Sequence, residues 1–185
     1  MMPRRGMRWR RRALVIGMVL AVAALLVPAV GQIPARIVYN PSDSMARGWY
    51  RVDPVSGANA SQALWHVGSI VLARLPPGVA AFAAQRGYLP AGVPILKRIG
   101  AVAPQAVCVR DRVVRIDGIV VAKVWERDGA HRALPAWAHC RPLEDGELFL
   151  LSDTHPASFD SRYFGPIGAS TVLGIARPLW TWGVQ

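Results

Sequence analysis

Val113-Val114-Arg115-Ile116-Asp117-Gly118-Ile119-Val120-Val121-Ala122-Lys123-Val124 decides the fold class of this chain. Two short runs rich in β-branched residues flank Asp117-Gly118, a dipeptide that accepts positive φ at both centres of a two-residue turn. The segment therefore predicts a β-hairpin. Runs of the same kind recur on either side. Trp49-Tyr50-Arg51-Val52, Ile70-Val71-Leu72, Pro94-Ile95-Leu96-Lys97-Arg98-Ile99 with Val102, and Ala106-Val107-Cys108-Val109 precede it. Glu147-Leu148-Phe149-Leu150-Leu151-Ser152 and Thr171-Val172-Leu173-Gly174-Ile175-Ala176 follow it. Pro76-Pro77-Gly78 and Leu89-Pro90-Ala91-Gly92 are turn clusters between runs. One helix is expected, the Ala-rich residues 79–86 ended by Gly87. Many short strands with little helix predict a mostly β domain, a coiled or barrel-like sheet.

The 185 residues suffice for one domain with a real core. The formal charge of +11 is unevenly spread: six of the 22 basic residues (Arg4, Arg5, Arg8, Arg10, Arg11 and Arg12) precede residue 13, and no acid occurs before Asp43. The rest carries 16 basic against 11 acidic residues with no basic stripe interleaved with aromatics, which argues against a nucleic-acid partner. Residues 13–30 hold no charge and no polar side chain, long enough to cross the hydrocarbon core of a bilayer. The arginines before it put the N-terminus in the cytoplasm and the remainder across the membrane. A signal peptide cleaved near Ala29-Val30-Gly31 and a buried core helix are the other readings, and the length of the run favours a retained anchor. The expected organisation is a basic cytoplasmic tail at 1–12, a single-pass anchor at 13–31 and an exported domain at 32–185. Cys108 and Cys140 have no metal-ligand spacing, and no metal site or cofactor is expected. They form either one disulfide or two inert thiols, and export favours the disulfide.

Just after the apolar run stands Asn40-Pro41-Ser42-Asp43-Ser44-Met45-Ala46-Arg47-Gly48, a turn holding two serines. A serine hydroxyl is inert at neutral pH unless a base is brought to it. The chain has 20 arginines and only Lys97 and Lys123 as lysines. Arginine cannot serve as a base, whereas a lysine buried among apolar side chains can. Lys97, beside Ile95, Leu96 and Ile99, is either such a base or an outward-facing strand residue. Lys123 alternates toward solvent. The rival base is His155, with Asp153 as a third member of a triad, but an acid two residues from its own histidine seldom reaches the right ring nitrogen. His66, His131 and His139 lie in Trp- and Pro-rich loops and read as structural or surface residues.

Ser42-Asp43-Ser44-Met45 after an apolar segment, Leu96-Lys97-Arg98-Ile99 some fifty residues on, and Ser158-Phe159-Asp160-Ser161-Arg162-Tyr163-Phe164-Gly165-Pro166 near the end occur in fixed order. This combination resembles the serine–lysine signal peptidases, family S26. Within them it is most similar to the conjugative-transfer TraF-type subgroup, which matures pilin precursors. The resemblance runs from the anchor to Ile175. It implies a mostly β catalytic domain in the periplasm, held to the bacterial inner membrane by one N-terminal helix and acting on a membrane-bound protein precursor. It makes Ser44 the nucleophile and Lys97 the general base. Ser42 lines the oxyanion hole, Ser158 holds the lysine amine, and Asp160 and Arg162 form a structural ion pair. Ala46-Arg47-Gly48 stands where general signal peptidases carry a proline, and the late segment opens on Ser152-Asp153-Thr154 rather than Gly-Asp-Asn. The cysteine pair and the shorter late motif favour the conjugative subgroup. The alternatives are a general leader peptidase for secreted precursors and a non-catalytic component of a conjugation or secretion apparatus.

Overall fold

In the computed structural model, residues 14–18, 36–55, 65–152 and 154–183 are described. The chain divides into two units, Met1–Pro34 and Ala35–Gln185. Of the first, residues 14–18 are helical and exposed. The basic tail and most of the expected anchor lie outside the described residues. Among those described, no helix is long and apolar enough to cross a membrane.

The second unit follows the alternation of its sequence. Strand β2, Arg47–Pro54, turns Tyr50 and Val52 inward and leaves Arg47, Trp49 and Arg51 exposed, the period-2 pattern of a half-buried strand. It pairs with β1, Arg36–Asn40, and with β11, Val172–Trp182. Beyond β11 lie β3 (Ile70–Ala73), β4 (Ile95–Val102), β9 (Glu147–Leu151) and β10 (Ile167–Gly168). All are antiparallel, in the order β1-β2-β11-β3-β4-β9-β10. The second sheet orders β7 (Ile119–Lys123), β6 (Val113–Ile116), β5 (Ala106–Arg110) and β8 (Cys140–Pro142). The fold is therefore mostly β, but it is not a closed barrel. The larger sheet ends on β1 and on the two-residue β10, which do not pair with each other among the described residues.

The hairpin forms where Asp-Gly demands it: Asp117 and Gly118 have φ of 50° and 84°, the left-handed pair of a tight two-residue turn. Helix α1, Pro77–Arg86, starts with proline in its first turn, where the missing N–H costs nothing, and stops on Gly87 in the left-handed conformation. A one-turn helix α2, Ser161–Phe164, is capped by the Asp160 carboxylate accepting from the Arg162 amide. Cys108 and Cys140 face each other across β5 and β8 and are disulfide-bonded.

Apolar clusters lie on both faces of the large sheet. On one face Val71, Ile95, Ile99 and Leu150 pack beneath α1; on the other, Met45, Tyr50, Val52, Leu72, Leu96 and Ala176 pack together. A third cluster, including Val107, Val114, Leu143 and Phe149, lies against the four-stranded sheet. The Ser44 loop leaves β1 and re-enters β2, so a strand at each end fixes its position.

Candidate active site

The loop at 41–46 is organised by one buried side chain. Asn40 donates from Nδ2 to the carbonyls of Ser42 at 3.0 Å, Met45 at 3.1 Å and Ala46 at 3.1 Å, and its Oδ1 accepts from the Ser42 amide at 3.3 Å. Met45 is 1% exposed in the core and pins the loop from beneath. Gly48, within β2 at φ 141°, lies against the backbone of Trp180 so closely that a Cβ would collide with the Trp180 carbonyl. The loop thus closes through a position only glycine can take.

Ser42 Oγ donates to Asn40 Oδ1 at 2.9 Å and lies 2.9 Å from Ser44 Oγ. A hydroxyl has one proton, and the Asn40 oxygen can only accept. Ser42 spends its proton on Asn40, so Ser44 donates to Ser42. The two serines of the turn thus form a directed chain, Ser44 to Ser42 to Asn40.

Lys97 is 4% exposed. It shares the face of β4 with Ile95 and Ile99 of the apolar cluster, and its burial excludes the outward-facing alternative. Its Nζ donates to Ser158 Oγ, a residue 61 positions away and itself buried. Arg98, on the opposite face, donates to the Gly68 carbonyl. Lys123 is exposed, as its place in the hairpin predicts.

Ser158 is held by the ion pair behind it. Asp160 and Arg162, 0% and 2% exposed, meet as a fork: Arg162 Nε to Asp160 Oδ1 at 2.7 Å and Nη2 to Oδ2 at 2.9 Å. Arg162 also donates to the carbonyls of Ser158 at 2.8 Å, Pro156 at 2.6 Å and Lys123 at 2.8 Å. Asp160 Oδ2 accepts from the Ser152 amide at 3.0 Å. Nearly every polar atom of the pair is used, which offsets the cost of desolvating two charges. Ser161 Oγ accepts from the Leu150 amide at 2.9 Å and ties α2 to β9.

These groups converge on one cavity of about 770 Å³, lined by Ser42, Ser44, Lys97 and Ser158 among mainly apolar neighbours such as Leu72, Ile95 and Phe159. Lys97 and Ser44 share the wall of this cavity. Asp160 and Arg162 stand behind that wall. His155 also lines the cavity; its backbone N–H donates to Ser152 Oγ at 3.1 Å and its carbonyl accepts from the Ser158 amide at 3.1 Å. Asp153, the acid of the histidine alternative, lies outside the described residues.

Sequence reasoning missed the far wall. Tyr88 and Asp128 line the cavity, and the Tyr88 hydroxyl donates to the Asp128 carboxylate. Burial pushes the Asp128 carboxyl up. The bonds from Tyr88, from the amide and side chain of Arg132 and from the Ala130 amide outweigh it and hold the carboxyl well below the usual carboxylate range. The same burial, joined by the bond to Asp128, raises the Tyr88 hydroxyl. A lone aspartate in a loop carries no sequence signal for this. Asn40 did carry one, since Asn-Pro opens a turn, but its triple use was not readable.

The signal peptidase, peptidase S26 family model matches residues 9–182. The plasmid transfer protein TraF of Escherichia coli is 34% identical over 177 residues, covering 90% of this chain and 94% of that protein. The conjugal transfer protein TraF of Agrobacterium tumefaciens strain 15955 is 33% identical over 187 residues, covering 95% and 98%. The chain belongs to the signal peptidase family S26. Signal peptidase I of Enterococcus faecalis, a solved structure, is 22% identical, with a TM-score of 0.37 over 60% of this chain and 95% of that one. Membership of S26 gives the chain a serine-peptidase, leader-peptidase role with a precursor protein as substrate.

Proposed function

We propose that the chain is a membrane-anchored endopeptidase that matures a conjugative pilin precursor through a Ser44–Lys97 dyad. The observation that carries the reading is Lys97: a lysine buried in an apolar wall, tethered to Ser158, on the same cavity as Ser44. A neutral amine has two N–H donors and one lone pair. Lys97 donates to Ser158, and its lone pair is the acceptor for the Ser44 proton. For attack, the Ser44 hydroxyl turns its proton from Ser42 to Lys97, and its oxygen adds to the scissile carbonyl. The Ser44 amide N–H and the Ser42 hydroxyl, swung off Asn40, hold the oxyanion, each contributing a few kcal/mol in comparable sites. Collapse expels the amine of the mature protein with the proton from Lys97, and water activated by the same amine releases the acyl group.

The pilin substrate is drawn from the TraF relatives and their role in plasmid and conjugal transfer. Confinement of enzyme and precursor to one bilayer is drawn from the apolar segment at 13–30 and the arginines before it. The outer face of β1, β2 and β11 supports a nearby lipid surface. Tyr39, Trp49, Trp180 and Trp182 are exposed there in mutual ring contact, and Arg47 and Arg51 share the face.

The test is cleavage of a pilin precursor and of a generic secretory precursor by the purified full chain, Ser44→Ala and Lys97→Arg. We expect cleavage of the pilin precursor alone, and a loss of about 10³-fold or more in each variant. Equal cleavage of both precursors makes the chain a general leader peptidase. Near-full activity of Lys97→Arg removes the lysine base, and inactivity of His155→Ala with active Lys97→Arg would favour the histidine triad.

A further inference from the structure

Two consecutive peptide carbonyls of the nucleophile loop are held by side chains from the far end of the sequence. The Ser44 carbonyl accepts from Ser152 Oγ at 2.6 Å, and the Asp43 carbonyl accepts from Thr154 Oγ1. The separations are 108 and 111 residues, so these are tertiary staples and not turn geometry.

Their chemical effect follows from the planarity of the peptide bond. The Asp43 carbonyl and the Ser44 N–H belong to one rigid unit and point in opposite directions. Fixing the carbonyl with Thr154 therefore aims the Ser44 N–H. The Ser44 carbonyl belongs to the next unit, so fixing it with Ser152 sets ψ of Ser44. With a plane clamped on each side of the Ser44 Cα, the direction of its Cβ and Oγ is set as well.

Ser152 is itself oriented. Its Oγ accepts from the His155 amide at 3.1 Å, which leaves its own proton for Ser44, and its N–H donates to Asp160 Oδ2 at 3.0 Å. The buried Asp160–Arg162 pair thereby reaches both members of the dyad, Lys97 through Ser158 and Ser44 through Ser152.

We infer that Ser152 and Thr154 are positioning residues of the peptidase: Thr154 aims the amide that receives the oxyanion, and Ser152 aims the attacking oxygen. The inference rests on the reading of Ser44 as nucleophile. Neither side chain touches the reacting atoms, so their loss lowers the rate of the bound complex and leaves substrate affinity alone.

The experiment is steady-state cleavage of the pilin precursor by the full chain and by Ser152→Ala, Ser152→Thr and Thr154→Val, with unfolding midpoints measured in parallel. We expect kcat of Ser152→Ala to fall about tenfold to a hundredfold with KM within about twofold, the scale of a sub-ångström to ångström misplacement. Ser152→Thr, which keeps the hydroxyl, restores most of it, and Thr154→Val loses about three- to tenfold in kcat. Wild-type kcat in either Ser152→Ala or Thr154→Val, or a loss confined to KM, overturns the inference. If Ser152→Ala does not fold, Thr154→Val decides alone, being isosteric and removing the more exposed of the two bonds. Ser44→Ala in the same assay separates the two readings. Retained cleavage there overturns the nucleophile, whereas an inactive Ser44→Ala with fully active staple variants overturns only the staples.

Discussion

Two aspartate–arginine pairs flank the site with almost the same fork geometry. In the Ser44 loop, Arg47 Nε and Nη2 meet Asp43 at 2.6 and 2.7 Å; in the late segment, Arg162 meets Asp160 at 2.7 and 2.9 Å. The first pair has side chains 48% and 59% exposed, the second 3% and 0%. The exposed pair is screened by solvent and reaches little beyond its own loop. The buried pair has to satisfy its remaining donors and acceptors with protein, and in doing so it fixes the backbone at Ser152, Pro156 and Ser158. Burial thus turns an ordinary ion pair into the frame of the site.

The largest break in this contrast is expected from Arg162→Met. It leaves the Asp160 charge buried and unpaired, and the unfolding free energy should fall by about 3–5 kcal/mol with cleavage lost. A denaturation midpoint near wild type would put the frame elsewhere. Next comes Ser158→Ala, which keeps the frame but removes the acceptor of the Lys97 amine. We expect kcat to drop about tenfold to a hundredfold with the unfolding midpoint little changed. A large fall in stability instead would make Ser158 part of the frame and not of the dyad.

The smallest effect belongs to Asp43→Asn. The Arg47 hydrogen bond holds the Asp43 carboxyl below its ordinary value, despite an opposing contribution from burial. A depressed folded-state value stabilises the fold above the unfolded value and is lost as pH falls through the folded one. The small midpoint difference from wild type should therefore be present at neutral pH and low salt. It should fade below about pH 3.9, the unfolded value, and vanish in high salt. Thermal unfolding at pH 7 and pH 2.5 checks it. A difference that grows in acid would mean that the exposed pair is not simply an exposed pair.

Much of the fold was legible because its turns are encoded locally. Asp117-Gly118 and Gly87 each carry a conformation that few other residues tolerate, and the strands between such points alternate. The apolar run that marks the last strand in the sequence ends at Ala176, and Pro178 cannot donate to a ladder. The strand runs on to Trp182 by shifting register between Pro178 and Trp180. Strand β1 alternates in burial from Ile37 to Asn40, but its exposed face carries the apolar Ile37 and Tyr39 and its buried face the polar Asn40, so the sequence shows no apolar-in, polar-out pattern. At the site, Ser44, Ser42, Lys97 and Ser158 were found as residue types and all prove to line one cavity. What sequence spacing leaves open is whether Lys97 turns in or out, because Leu96 on the opposite face is buried too; the burial of Lys97 itself decides it. Ser152 and Thr154 escaped because a staple across more than a hundred residues has no local pattern, and Asp128 because its partners come from a helix end and its own loop.

The cross-link between Cys108 and Cys140 spans 32 positions and encloses β6, β7 and the loop that brings Asp128, Gly129 and Leu134 to the cavity. Ring closure of that size removes chain entropy from the unfolded state, on the order of 4 kcal/mol in the chain-entropy account. It also gives the molecule a topological tolerance. A single peptide bond severed anywhere between the two cysteines leaves one covalent molecule, with the Ser44 and Lys97 side still joined to the Ser158 side. An enzyme of this build can be nicked at the rim of its own cleft without coming apart.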